Sequence, residues 1–195
     1  MKSLLRLIVA FTLTASVSRA QFFPKSSLDS RGDAFKATWY SGQLRALKEP
    51  SLLPQSVDHQ TLHSYRFLWL RTFNHPIAVR IDIQPDGTST LSTKVTSGAG
   101  GYAPGNLIED TSRPLSGSEV KSFLTLVDRT SFWTAPNPIN DQAGTDGSQW
   151  IIEGVEGVKY HVIDRWMPKS GAAYELGKFL AFDLAKMNIP KREIY

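Results

Sequence analysis

From Tyr65 to Val95 the chain reads YRFLWLRTFNHPIAVRIDIQPDGTSTLSTKV, and this stretch leaves few options for the fold. Ile77, Val79, Ile81 and Ile83 recur at every second position. That is the period of a strand whose alternate side chains enter one core. Before them YRFLWLRTF is an aromatic-rich strand candidate, closed by the turn signal Asn74-His75-Pro76. After them Pro85-Asp86-Gly87 is hairpin-turn chemistry, with TSTLSTKV as the return strand. The stretch predicts a three-stranded antiparallel meander.

A second hairpin is expected from QWIIEGV and VKYHVIDRW, turning near Glu156-Gly157. A two- or four-residue loop places Ile151 and Glu153 beside Tyr160, Val162, Asp164 and Trp166. Trp150 and Ile152 then lie beside His161, Ile163 and Arg165. Each face is half apolar and half polar, so either both faces are partly covered or one binds something. Ser116 to Thr130 reads as a helix, with a Ser116/Glu119 capping box and a Val120, Phe123, Leu124, Val127 stripe. Ala173 to Met187 reads as a C-terminal helix. Asp33 to Lys48 reads as another, with Asp33 as cap, Phe35, Trp39, Leu44 and Leu47 recurring at near-helical spacing, and Pro50 and Pro54 beyond its end. Gln21 to Gly32 is expected to be a flexible lead-in, Ser56 to Ser64 is ambiguous, and Gly98 to Gly105 is expected to be a mobile loop. The predicted fold class is α+β: an antiparallel sheet built from the meander and the hairpin, with helices packed on it. The domain is expected over 65–195, after an N-terminal segment, 21–64, carrying one helix.

The first twenty residues have a different character. Lys2 and Arg6 precede the mostly apolar Leu7–Val17, and Ser18-Arg19-Ala20 offers small residues for cleavage after Ala20. This is the pattern of a secretory signal peptide, and the apolar run is short of the ~20 residues a bilayer span needs. A secreted or periplasmic protein without a transmembrane anchor after cleavage is expected. The whole chain carries 22 Lys+Arg against 18 Asp+Glu. Subtracting the leader's three basic residues leaves 19 against 18, so the surplus of cations that nucleic-acid binding needs is missing. The chain has no cysteine, which excludes a disulfide scaffold. That absence, together with the lack of an Asn-x-Ser/Thr sequon, fits a bacterial envelope.

Several suggestive motifs fail on chemistry. In YHVIDRW, His161 and Asp164 are three apart, so a regular strand sends them to opposite faces and they form no local dyad. HQTLH, His59 to His63, has the spacing of a helical zinc pair, but Gln60 stands where a metalloprotease needs its Glu. SEVK, with Ser118, echoes serine acyl-enzymes but lacks their companion motifs and points to water at a helix start. TSGAGGYAPG is not followed by a helix, as a phosphate loop requires. NDQAGTDG lacks the ligand spacing of a calcium loop, and RGD at 31–33 is a chance match. No metal or cofactor is expected.

Taken together, ATWYSGQL, YRFLWLRTF, IAVRIDI-x-PDGTSTL, SGAGGY, DGSQWIIEGV and YHVIDRW-x-P resemble an uncharacterised family of secreted bacterial proteins. The resemblance covers most of the mature chain. It implies export and an α+β domain, and it carries no activity. The function expected is a non-enzymatic binding or interaction module, for a small anionic ligand or an envelope or extracellular protein. Arg71, Arg80, Trp150, Glu153, His161 and Arg165 are its expected binding residues: arginines to clamp an anion and Trp150 to stack. The alternative is a secreted hydrolase with acid and base from distant segments, such as Glu153 or Asp146 with His161. A third class is a purely structural, self-associating envelope protein.

Overall fold

A computed structural model describes residues 21–28, 32–53, 63–137 and 144–195. Helix α1 (Asp33–Ala46) is followed by β1 (His63–Arg71), β2 (Ile77–Ile83), β3 (Ser89–Thr96) and β4 (Leu107–Pro114). Then come α2 (Gly117–Arg129), β5 (Ser148–Glu156), β6 (Lys159–Trp166) and α3 (Gly171–Lys178), which continues as π-helical turns over Phe179–Leu184. The six strands form one antiparallel sheet in the order β4-β3-β2-β1-β5-β6.

The meander and the hairpin stand where the periodicity puts them. Gly87 takes φ 84° in the β2–β3 turn, and Gly157, φ 57°, starts the two-residue β5–β6 loop. Trp150 pairs with Arg165 and Ile151 with Asp164, the register that loop length dictates. β1 is at the centre of the sheet, flanked by β2 and β5, and is buried from Ser64 to Arg71. A strand shielded on both faces does not alternate, which is why FLWL runs apolar without a break.

Both faces of the sheet are covered. On one, Tyr65, Phe67, Trp69, Val79, Trp150 and Ile152 pack under α2 and α3. On the other, Leu68, Leu70, Ala78, Ile151 and Val162 pack under α1 and the chain before it. The expected flexible lead-in is therefore corrected over 21–28. Phe22, Phe23 and Leu28 are buried there, because α1 leaves an apolar face that they complete.

Three further expectations change. Asp33 is not the cap of α1; Gly32 holds that position, and the Asp33 carboxylate accepts from the backbone N–H of Ser26 (2.7 Å) and Leu28 (3.0 Å). Phe35 leaves the apolar side and is 72% exposed, while Leu44 and Leu47 are buried as expected and Tyr40 joins them. β4 has no counterpart in the sequence pattern: at the sheet's edge, largely exposed, LIEDTSRP has no apolar alternation to read. The capping box of α2 is present, Ser116 Oγ accepting from Glu119 N–H and Glu119 accepting from Ser116 N–H. The leader, Arg31, Pro54, His59, Gln60 and residues 140–143 lie outside the described residues.

Candidate functional site

The residues expected to bind are divided by the sheet. Arg80 and Glu153 project to the α1 face, while Arg71, Trp150, His161 and Arg165 belong to the face under α2 and α3. No single site can contain all six.

On the α1 face, Arg66 stands directly across from Arg80 on β2 and from Glu153 on β5. Two arginines side by side repel. Glu49, carried over the sheet by the turn that ends α1, bridges them: Oε2 lies 2.9 Å from Arg80 Nε and 3.5 Å from Arg66 Nη1, and Oε1 lies 3.3 Å from Lys94 Nζ. Arg66 donates twice to Glu153 Oε2, at 2.9 and 2.5 Å, and once to Pro50 O at 2.6 Å. Tyr160 donates to Glu153 Oε1 at 2.9 Å, and Arg80 also pairs with Asp82. Burial pushes the Glu49 carboxyl up, but Arg66, Arg80 and Lys94 together hold it below the usual carboxylate range. Burial penalises the Arg66 charge, yet Glu153 and Glu49 more than compensate and keep it protonated. Arg66 and Glu153 are fully buried, so this network fastens the α1 connection to the sheet and is closed to a ligand. Sequence reasoning named two of its members and missed Arg66 and Glu49. A charged residue between apolar neighbours of a central strand was the available signal.

The other face is equally occupied. Trp150 is buried against Phe67 and Trp69, its indole N–H shared between Ser148 Oγ and the Tyr195 carbonyl. Arg71 lies over the Trp69 ring and pairs with Glu193 at 3.2 Å. Arg165 donates to the carbonyls of Asp164 and Pro136. His161 Nε2 sits 3.0 Å from Ala135 O with its ring edge-on to Phe132. Burial depresses its pKa below the usual histidine value. Its partner is a carbonyl, not a carboxylate. Asp164 points to the α1 face, where Lys36 Nζ (2.8 Å) and Tyr40 Oη (3.0 Å) contact it. The sequence expectation that His161 and Asp164 part company is what the strand geometry produces. The proposed pairing of His161 with Glu153 is corrected for the same reason: Glu153 pairs with Val162, so it and His161 fall on opposite faces.

The open space lies elsewhere. A cleft of about 530 Å³ opens on the α1 face, where β1 ends, β5 begins and β6 ends. Phe35, Lys36 and Trp39 of α1 form one wall, Tyr102 another, and Gln149 and Trp166 border it from the sheet. None of the six expected binding residues lines it. Its volume falls within the range of small-molecule sites. Phe35 and Tyr102 are 72% and 63% exposed, and Phe73, also exposed, sets its ring 6.1 Å from that of Tyr102.

The glycine-rich segment expected to be a mobile loop is a fixed wall of this cleft. Gly100 donates to the carbonyls of Arg71 and Asn74, and its own carbonyl accepts from Trp39 Nε1 (2.8 Å) and Gln43 Nε2 (3.2 Å). A Cβ on Gly100 would stand 2.7 Å from the Arg71 backbone, so only glycine lets the loop lie this close. Trp166 lies similarly close on Gly147, where a Cβ would meet its ring at 2.4 Å.

Among the described residues no group of three His, Asp or Glu side chains is placed to hold a metal ion, and no helix is long and apolar enough to cross a membrane. No protein-family model matches the chain, and no curated protein matches it.

Proposed function

We propose that the protein is an exported, non-enzymatic binding module whose ligand enters the aromatic-walled cleft beside α1. One observation carries this reading: a cavity of small-molecule size gathers Phe35, Trp39 and Tyr102 at its mouth, two of them largely exposed. Exposed rings beside a concavity are uncommon unless something packs on them. The arginines first expected to clamp an anion are engaged in internal ion pairs or carbonyl hydrogen bonds, so the binding function moves to the cleft. Export is supported by the leader MKSLLRLIVAFTLTASVSRA and by the resemblance to secreted bacterial proteins.

The test has two parts. Protein recovered from the periplasm of a bacterial host should begin at Gln21; retention of the leader in the cytoplasm would refute export. A fragment screen read by chemical-shift changes should give hits that disappear when Thr145, which lines the cleft, is replaced by Trp. Hits unaffected by Thr145→Trp would place binding outside the cleft.

A further inference from the structure

We infer that the ligand of this cleft is a neutral saccharide, a claim that rests on the cleft being the binding site. Three features of the lining carry it.

The first is the rings. A pyranose presents a face of C–H bonds whose hydrogens are weakly positive. The face of an aromatic ring is negative, so the two surfaces match in both shape and polarity. The cleft is lined by the rings of Phe35 and Trp39, with centroids 6.0 Å apart, and by Tyr102.

The second is charge. Lys36 is the one charged residue among the described residues lining the cleft, and Asp164 holds its ammonium at 2.8 Å. An anionic ligand would have to compete with Asp164 for it, and a cationic ligand meets no carboxylate among the described lining residues. Leaving water for a site without a counter-charge is costly for any ion. Among the described residues, the lining favours an uncharged guest.

The third is its polar complement. Thr145 and Gln149 are neutral hydrogen-bonding side chains on the lining, whereas the Thr72 hydroxyl is spent on Gly147, donating to its carbonyl and accepting from its N–H. Gln149 is only 2% exposed, and its buried Oε1 has no hydrogen-bond partner among the described residues. Such an orphan acceptor requires a donor. The last torsion of the amide is soft, and a ligand hydroxyl can draw the oxygen round to supply the missing bond. Flat apolar ligands would leave it unpaired; a sugar carries hydroxyls around its rim.

The experiment titrates the exported protein with neutral glucose and N-acetylglucosamine oligomers, following tryptophan fluorescence and heat. Inorganic phosphate and the uncharged apolar dye N-phenyl-1-naphthylamine are run in parallel. Phe35→Ala and Tyr102→Ala remove exposed rings, and both variants should fold as the parent does by circular dichroism. Each is expected to weaken saccharide binding about tenfold, the loss typical of a ring anchor at a binding site. Gln149→Leu should weaken it further while leaving dye binding intact. Dye binding that depends on Phe35 and Tyr102, with no saccharide binding, would overturn the saccharide and keep the cleft. Saccharide binding indifferent to both ring substitutions would overturn the cleft itself. Binding of phosphate alone would overturn the neutral guest, and no binding by any probe would overturn both readings.

Discussion

Replacing Arg66 by Met tests whether the network under α1 is the coupled structure its geometry describes. The substitution keeps much of the side-chain volume but removes every guanidinium contact: two to Glu153, one to Pro50 O and one to Glu49. Glu49 keeps Arg80 at 2.9 Å and Lys94 at 3.3 Å. Glu153, fully buried, keeps the Tyr160 hydroxyl but no cation among the described residues. The cost is therefore that of stranding one buried carboxylate, about 3–5 kcal/mol. That is a large part of the roughly 5–15 kcal/mol by which a domain is stable. Glu153→Met should cost less, because Arg66 then retains Pro50 O and Glu49. The double variant should recover most of the loss. With neither charge present, the remaining penalty is the Tyr160 hydroxyl and the Pro50 carbonyl left without their partners, about 1–3 kcal/mol for each that stays buried, and Tyr160→Phe should remove the first. Urea unfolding at pH 7, read by tryptophan fluorescence, reports the parent and its four variants with one slope if unfolding stays two-state. Losses that simply add in the double variant, or an Arg66→Met cost below about 1 kcal/mol, would refute the coupling.

Other expectations follow from single positions. His161 is held neutral by burial, so its folded pKa lies below 6.5 and the unfolded chain binds its proton first. Stability should fall as pH drops through 6.5 toward that lower value, and His161→Phe should flatten this part of the urea-midpoint profile; an unchanged profile would sink the assignment. Gly154→Ala should destabilise by about 1–3 kcal/mol, because its Cβ would meet Phe132 at 2.6 Å and Tyr65 at 3.0 Å. Gly42→Ala, in α1 with nothing within 4 Å, should instead stabilise by about 0.4–1 kcal/mol; thermal melts giving the two the same sign would contradict the packing. Ser116→Ala should cost about 1 kcal/mol by removing one half of the α2 capping box, measured the same way.

Strands are legible where burial and turn chemistry leave a pattern. Ile77 to Ile83 alternate because one row faces α2 and α3, and the β5–β6 register follows from loop length alone. β4 escapes because an exposed edge strand has no buried row to mark it. The C-terminal helix is legible as one apolar stripe, but its change to π-helical turns over Phe179–Leu184 is not, since the stripe survives the change in pitch: Leu176, Leu180 and Leu184 are all buried. The candidate site is the least legible part. Helical spacing reads Phe35 and Trp39 as core, which holds for Trp39, packed against the α1-side core, and fails for Phe35, and polar neighbours make Trp150 read as a ring open to a ligand. Both assignments depend on what lies opposite, which spacing does not contain.

Period, turn, the α2 cap and the opposite facing of His161 and Asp164 are thus legible in the chain alone. These depend on residues within a few positions of one another, so their geometry is set by backbone sterics. The settling of Glu49 between Arg66 and Arg80, the closing of the glycine-rich loop onto α1 through Gly100, and the gathering of Phe35, Trp39 and Tyr102 around one cavity emerge only in the folded chain. Those arrangements join segments far apart in the chain. Their energy comes from desolvation and packing, which exist only once both surfaces have met.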